Sequence, residues 1–216
     1  MSSLTYGDLR QDYKAGFLEI EEVDKNPIKQ FTKWFDEAIS QQILEPNAMS
    51  FSTATKEGKP SCRILLLKDI LPTGFVFYSN YESRKGKEME ENPFGAMTFL
   101  WLQMERQVRI EGKIEKVSRE EAEIYFKSRP KGSQIGAWSS PQSQKIADRS
   151  ILENKVVSLE NQYASLEQLP MPPFWGGYIL IPSRIEFWQG RSSRLHDRIC
   201  YERKEGNQWD IFRLAP

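Results

Sequence analysis

Between Ala48 and Val117 the chain alternates short apolar segments with turn-forming residues, and few architectures accommodate that pattern. AMSFSTAT runs through KEGK into PSCRILLLKDI, which reads as a hairpin, and LPTG turns the chain into FVFYSN. A short helix is predicted from about Ser83 to Glu91, stopping before Pro93, and FGAMTFLWL and RQVRIEGKIEKV follow as two long strands. Farther on, YILIPSRIEFWQG, RICYERK and QWDIFRLAP read as three more strands, the last two joined by EGN. Successive strands with short connections predict an antiparallel barrel or sandwich. Helices account for the rest. Asn26-Pro27 supplies a cap and a first-turn proline, and Ile28, Phe31, Trp34, Phe35, Ala38 and Ile39 form an apolar stripe at helical spacing that Pro46 ends. Ser118 and Glu121 predict a capping box for a helix through Lys127, closed by Arg129-Pro130. Residues 131–149 are rich in Gly, Ser and Pro without periodicity and read as a loop of the kind that carries function. Ser150 and Glu153 predict a second capping box, opening a helix to about Leu166. There is no internal repeat and no interdomain linker, so residues 1–25 read as an N-terminal segment and 26–216 as one domain.

Composition removes several classes of function. A chain of 216 residues buries roughly 70% of its unfolded surface and needs no disulfide staples. Lys plus Arg and Asp plus Glu are 30 each, which argues against a nucleic-acid binder relying on bulk positive charge. Cys62 and Cys200 are isolated and read as reduced, buried thiols, Cys62 in a strand core; nothing near Cys62 plays the base that a nucleophile needs. The single histidine, His196, weighs against a zinc enzyme, and no metal is expected. No nucleophile elbow, Walker A loop or dinucleotide-binding glycine turn occurs. No apolar run approaches the roughly 18 residues that span a bilayer, and MSSLTYGDLRQDY lacks a signal core. A cytoplasmic protein with no membrane partner is expected.

Three groups of cationic side chains stand out. Arg63 and Lys68 bracket ILLL, and Arg84 and Lys85 follow FYSNYES. Cationic heads in apolar surroundings are costly unless an anion meets them, and Arg forks and Lys point charges suit phosphate. For any one such residue, snorkelling to solvent or pairing with a carboxylate is the commoner explanation. Arg63 and Lys68, five apart, also face opposite sides of an ideal strand. Tyr125, Arg129 and Ser133 lie four apart across Pro130, a plausible phosphate clamp with Ser133 in the turn beyond. The alternative is a helix end with Arg129 favoured by the dipole. The densest stretch, EFWQGRSSRLHDR, holds Trp188, Gln189, Arg191, Arg194, His196 and Arg198. That set suits a flat, anionic, heteroaromatic ligand, or else a polar hairpin loop.

RILLLK, FYSNYESRK, ERQVRIEG, YFKSRPKGSQIGAW, FWGG, IEFWQGRSSRLHDR and the terminal RLAP together closely resemble the pyridoxamine 5'-phosphate (pyridoxine 5'-phosphate) oxidase family, from LRQDY to the last residue. The resemblance implies a mainly β, FMN-binding split β-barrel with flanking α-helices. It implies a homodimer with two FMN sites at the subunit interface, each drawing on both chains. Arg63, Ile64, Leu65, Leu66, Leu67, Lys68, Tyr78, Ser79, Arg84 and Lys85 would then hold FMN, largely by its phosphate and ribityl chain. Gln107 would contact the flavin ring, and Gln142, Ser143, Trp188 and Arg198 would complete that site. Lys68, Tyr125, Arg129 and Ser133 would bind the substrate phosphate. Arg194, Leu195 and His196 would lie against the pyridine ring, with Arg194 and His196 catalytic. Arg10 and Tyr13 resemble a lid over the substrate. The implied reaction oxidises pyridoxamine or pyridoxine 5'-phosphate with O2 to pyridoxal 5'-phosphate, giving hydrogen peroxide, and ammonia from the amine. Gln11, Glu45 and Gln144 depart from the family pattern, and tuning of lid closure or affinity is expected there. Two other readings share this fold: a non-enzymatic FMN or pyridoxal phosphate binder, and a reductase acting on another substrate. The full substrate-side set argues against a flavin-only binder and disfavours the reductase.

Overall fold

The computed structural model describes residues 5–9 and 11–216, so Arg10 lies outside the described residues. Helix α1 is Pro27–Ser40, and its cap is the expected one: Asn26 Oδ1 accepts the N–H groups of Ile28 (2.9 Å) and Lys29 (3.3 Å). It ends six residues before Pro46, because Gln42 at φ 56° leaves the helical region. Strands β1 (Ala48–Ala54), β2 (Pro60–Leu66), β3 (Asp69–Leu71) and β4 (Gly74–Asn80) precede α2 (Arg84–Glu91), and β5 (Phe94–Trp101) and β6 (Arg106–Lys116) follow. Helix α3 (Arg119–Ser128) opens on the expected capping box of Ser118 and Glu121.

Two expectations fail in the next stretch. Residues 131–139 form α4 (Lys131–Ser139), not loop. Gly132 and Gly136 weaken its intrinsic propensity, and burial supplies what propensity lacks. Ile135 and Gln134 are buried. The Gln134 amide donates to the Arg129 carbonyl (2.8 Å) and accepts the Leu169 N–H (2.7 Å). Helix α5 (Ser150–Gln162) does not use Ser150 as its cap: Arg149 holds that position, and Asp148 accepts the Ser150 N–H at 2.7 Å. It also stops four residues short of Leu166. Strands β7 (Trp175–Gln189), β8 (Asp197–Arg203) and β9 (Trp209–Arg213) complete the chain. The expected burial of the thiols holds for Cys200 and fails for Cys62, which is exposed on β2.

The strands hydrogen-bond in the order β2-β1-β5-β6-β7-β4-β3, with β8 on β7 and β9 on β8. The long β7 has two working halves: residues 175–180 pair antiparallel with β4, and 184–189 pair antiparallel with β8. The described residues group into two compact units. The first comprises residues up to Ser50, Met97–Glu111 and Pro182–Pro216; the second comprises Phe51–Ala96 and Gly112–Ile181. In the first, α1 supplies Phe31 and Trp34, whose rings meet Phe99 at 5.0 Å and Phe187 at 5.2 Å. In the second, Ala122, Phe126, Ile135, Leu159, Leu169 and Trp175 form one buried cluster. Among the described residues no helix is long and apolar enough to cross a membrane.

Candidate functional site

The second unit holds a cavity of about 600 Å³ bounded by β4, α3, α4 and the loop after α4. Its wall is a stack of flat rings. Tyr78 lies 3.9 Å from Tyr125 at 16°, and 5.4 Å from Trp175 at 9°. Burial, with Tyr125 adding to it, pushes the Tyr78 phenol up to about 12, so it stays a neutral donor. Arg129 rides on this wall, its guanidinium carbon 4.8 Å from the Trp175 ring centre. Arg129 Nη2 donates to the Ser133 carbonyl at 2.9 Å. Nη1 is buried and, among the described residues, is the one buried side-chain donor without a partner. Burial lowers the Arg129 pKa, against an opposing pull from Tyr125. A buried, unpaired guanidinium nitrogen on a residue that lines one cavity with Lys68, Tyr125 and Ser133 is a fit for an anion. The proposed clamp is thus brought together, with Ser133 on α4 and not in a turn.

A neighbouring cavity of about 410 Å³ is lined by Arg63, Ile64, Leu65, Arg84, Lys85, Gln142 and Ser143. Ser83 caps α2 and sets Lys85 in its first turn, where the next residue must be glycine: a Cβ on Gly86 would lie 2.0 Å from the Tyr81 carbonyl oxygen. Lys85 is buried, and its ammonium meets only neutral acceptors: Gln142 Oε1 (2.8 Å), Ser79 Oγ (2.9 Å) and Ser83 Oγ (3.3 Å). Burial first, then repulsion from Arg63, lowers its pKa to about 8 against the pull of Glu88. Arg63 is differently placed. Its guanidinium donates to the Phe51 carbonyl (3.2 Å), Thr53 Oγ1 (2.6 Å), Ser61 Oγ and Glu88. Glu88 is buried and also accepts from Thr53, Ser61 and Arg84. Burial alone would raise its pKa, but those hydrogen bonds and the Arg84 charge hold it at about 2. Glu88 is not among the residues that stand out in the sequence. Its i,i+4 spacing from Arg84 was visible; Thr53 and Ser61, on two other strands, gave no signal. The opposite-face objection to Arg63 and Lys68 does not arise, because β2 ends at Leu66. Leu66 and Lys68 line the larger cavity, Arg63 the smaller, and Leu67 is buried in the core.

In the first unit, the connection between β7 and β8 lines a cavity of about 890 Å³ with Gln11, Tyr13, Arg191, Ser193, Arg194 and His196. His196 Nδ1 accepts the Arg191 N–H at 3.1 Å, so the neutral ring carries its proton on Nε2. Its ring lies 4.7 Å from Trp188 and 5.8 Å from Tyr13, and Tyr13 lies 5.7 Å from Trp188. Ser193 and Arg194 have φ of 57° and 63°, left-handed values that non-glycine residues adopt at a cost. Leu195 is exposed. Arg198 gives two hydrogen bonds to Glu186 (3.0 and 2.9 Å) and one to the Ala215 carbonyl (2.8 Å). Gln107 is half-buried on β6.

Solved structures match this fold over almost its whole length. PhzG from Burkholderia lata, crystallised with tetrahydrophenazine-1-carboxylic acid, superposes with a TM-score of 0.88 at 30% identity, covering 95% of this chain and 100% of that one. A pyridoxamine 5'-phosphate oxidase-related, FMN binding protein from Nostoc punctiforme superposes with a TM-score of 0.69 at 14% identity, covering 86% and 97%; the second likeness speaks for the fold alone. The architecture is the mainly β split barrel with flanking helices. A profile described as pyridoxamine 5'-phosphate oxidase matches residues 35–163, and one described as the pyridoxine 5'-phosphate oxidase C-terminal dimerisation region matches residues 175–216. The chain is 51% identical over 214 residues to a pyridoxine/pyridoxamine 5'-phosphate oxidase of Cyanothece sp., covering 99% of this chain and 100% of the relative. It is 54% identical over 209 residues to one of Leptospira interrogans, covering 97% of each. The chain belongs to the pyridoxamine 5'-phosphate oxidase family.

Proposed function

We propose that the protein oxidises pyridoxine 5'-phosphate or pyridoxamine 5'-phosphate to pyridoxal 5'-phosphate with O2 and bound FMN, as a homodimer. The observation that carries this reading is the pair of separate cationic pockets in one unit. Arg129 has a buried donor with no acceptor, and Lys85 is buried with hydroxyl and amide oxygens as its only hydrogen-bond acceptors. Each fits one phosphate monoester, and FMN and the phosphorylated vitamer bring one each. The names carried by relatives of about 50% identity support the same substrate class.

FMN, when bound, supplies the hydride acceptor and passes the electrons to O2. Lys85, with Arg63, Arg84, Ser79, Gln142 and Ser143, holds its phosphate and ribityl chain. Lys68, Tyr125, Arg129 and Ser133 hold the substrate phosphate, remote from the reacting carbon, and convert binding energy into orientation. Arg194 orients the substrate and favours negative charge on the C4' oxygen of the alcohol as its proton leaves, and His196 positions that group through its Nε2–H. The matched dimerisation region, 175–216, contains Trp188, Arg194, His196 and Arg198. We therefore read each complete site as joining one chain's phosphate pockets to the partner subunit's β7–β8 loop. Oxygen uptake tests the proposal: pyridoxine 5'-phosphate should drive stoichiometric O2 consumption and pyridoxal 5'-phosphate formation. A yellow protein that binds the vitamer yet consumes no O2 would make it a binder and not an oxidase.

A further inference from the structure

The N-terminal segment is fastened along residues 13–19 by carboxylates that grip its backbone. Glu105 accepts the Ala15 N–H at 2.7 Å. Asp197 accepts the Leu18 N–H at 3.1 Å, and Arg213 donates to the Leu18 carbonyl (3.0 Å) and to Glu19 (2.7 Å). Leu18 itself is buried. At the far end, Tyr13 packs over Trp188 and His196 and against Gly190, where an added Cβ would lie 2.8 Å from Tyr13 Cγ.

Asp197 has more than one attachment. It directly follows His196, opens β8, and its side chain is 14% exposed. Besides the Leu18 N–H it accepts from Arg191 Nη1 (3.1 Å) and Arg213 Nη1 (2.7 Å). Arg191 is thereby fixed at both ends, its guanidinium on Asp197 and its N–H on His196 Nδ1 (3.1 Å). A single carboxylate therefore meets three separate stretches of chain: the N-terminal arm, the loop carrying Arg194 and His196, and strand β9. Bonds to a charged acceptor are the stronger kind, and two guanidiniums offset the cost of holding it away from water.

We propose that Asp197 is a positioning residue that couples docking of the N-terminal arm to the placement of His196. It acts on the arm through the Leu18 N–H and on the imidazole through Arg191, so that Tyr13 closes over a ring whose proton is already set on Nε2. The catalytic half of this inference rests on the oxidase reading above; the arm half does not.

The test uses the full-length, FMN-loaded protein and two readouts. Hydrogen exchange of the amides in residues 13–19 reports arm docking without any turnover. In Asp197→Asn, that exchange should speed up about tenfold or more, the expected loss for a charge-assisted bond. Its kcat should fall and its KM for the vitamer phosphate should rise, with FMN content unchanged. Gly190→Ala lifts Tyr13 but leaves the Asp197–Arg191–His196 chain intact; its arm should exchange faster and its KM rise, with kcat largely kept. Arg191→Gln should do the converse, lowering kcat while arm exchange stays slow. Unchanged arm exchange in Asp197→Asn, or the same kcat loss in Gly190→Ala as in Asp197→Asn, overturns the proposal. If no variant, nor the wild type, oxidises the vitamer, the oxidase reading fails while the exchange data still decide the role of Asp197 in docking the arm.

Discussion

Lys85, buried, and Arg129, half-buried, lie in the second unit on or beside regular helices, whereas Arg194, in the first unit, is exposed in a three-residue turn with φ of 63°. The first pair is rigid by construction. Lys85 has three hydroxyl or amide acceptors around its head, and Arg129 sits over the Trp175 ring with Nη2 tied to the Ser133 carbonyl. The β7–β8 loop instead carries backbone strain and is held by the Arg191–His196 bond and the arm packed over it. A phosphate ester is unchanged by oxidation at a distant carbon, so its anchors gain by being fixed in advance. Groups that meet changing charge at C4', and that admit and release substrate, belong on elements of lower local stability. Under the proposed function, the contrast between the regions is thus a division between holding and acting.

The largest expected effect tests the acting side. Arg194→Ala should lower kcat about a hundredfold or more, the usual cost of removing a donor aimed at transition-state charge, with FMN retained at wild-type stoichiometry. Steady-state kinetics together with flavin absorbance read both quantities. A smaller effect belongs to the holding side. Arg129→Met keeps the apolar stack on Trp175 but removes the fork, and KM for the vitamer phosphate should rise about thirtyfold, with kcat changing less. If Arg129→Met chiefly lowered kcat and Arg194→Ala chiefly raised KM, the division would be reversed and the assignment of the two regions with it.

The same contrast explains what could be read from the sequence. Strand alternation and the Asn26 and Ser118 caps are local signals, and both caps form as expected. The spacing of Tyr125, Arg129 and Ser133 was legible because it follows one short stretch of chain, even though α4 was not. That helix depends on Gln134 bridging Arg129 and Leu169 and on Ile135 joining a core cluster, which are contacts at long sequence separation. Glu88 and Asp197 were invisible for the same reason. Each is defined by partners from several segments, Thr53, Ser61 and Arg63 for one and Leu18, Arg191 and Arg213 for the other. Periodicity finds the faces of single elements; carboxylates that tie distant segments together leave no period to find.

The smallest expected effect sharpens the account of the holding side and concerns pH. In the free protein, burial and Arg63 lower the Lys85 pKa from 10.5 to about 8. A bound phosphate dianion beside the ammonium favours its charged form, so above pH 8 binding must take up a proton. FMN affinity should therefore be flat near neutrality and weaken above pH 8, by at most about tenfold per pH unit. Flavin fluorescence quenching between pH 7 and 9.5 measures it. Lys85→Arg, charged throughout this range, should lose the alkaline decline. Stability without FMN should move the other way. The unfolded chain holds the Lys85 proton up to its ordinary pKa while the folded chain sheds it from about 8, so the burial penalty is present below pH 8 and relieved as pH rises toward 10.5. Thermal melts should then show the FMN-free and FMN-loaded proteins converging as pH rises from 8 to 10. Parallel pH profiles in the two forms would mean that the phosphate is held by the already paired Arg63 and Arg84, and that Lys85 is no more than a buried support for Ser79 and Gln142.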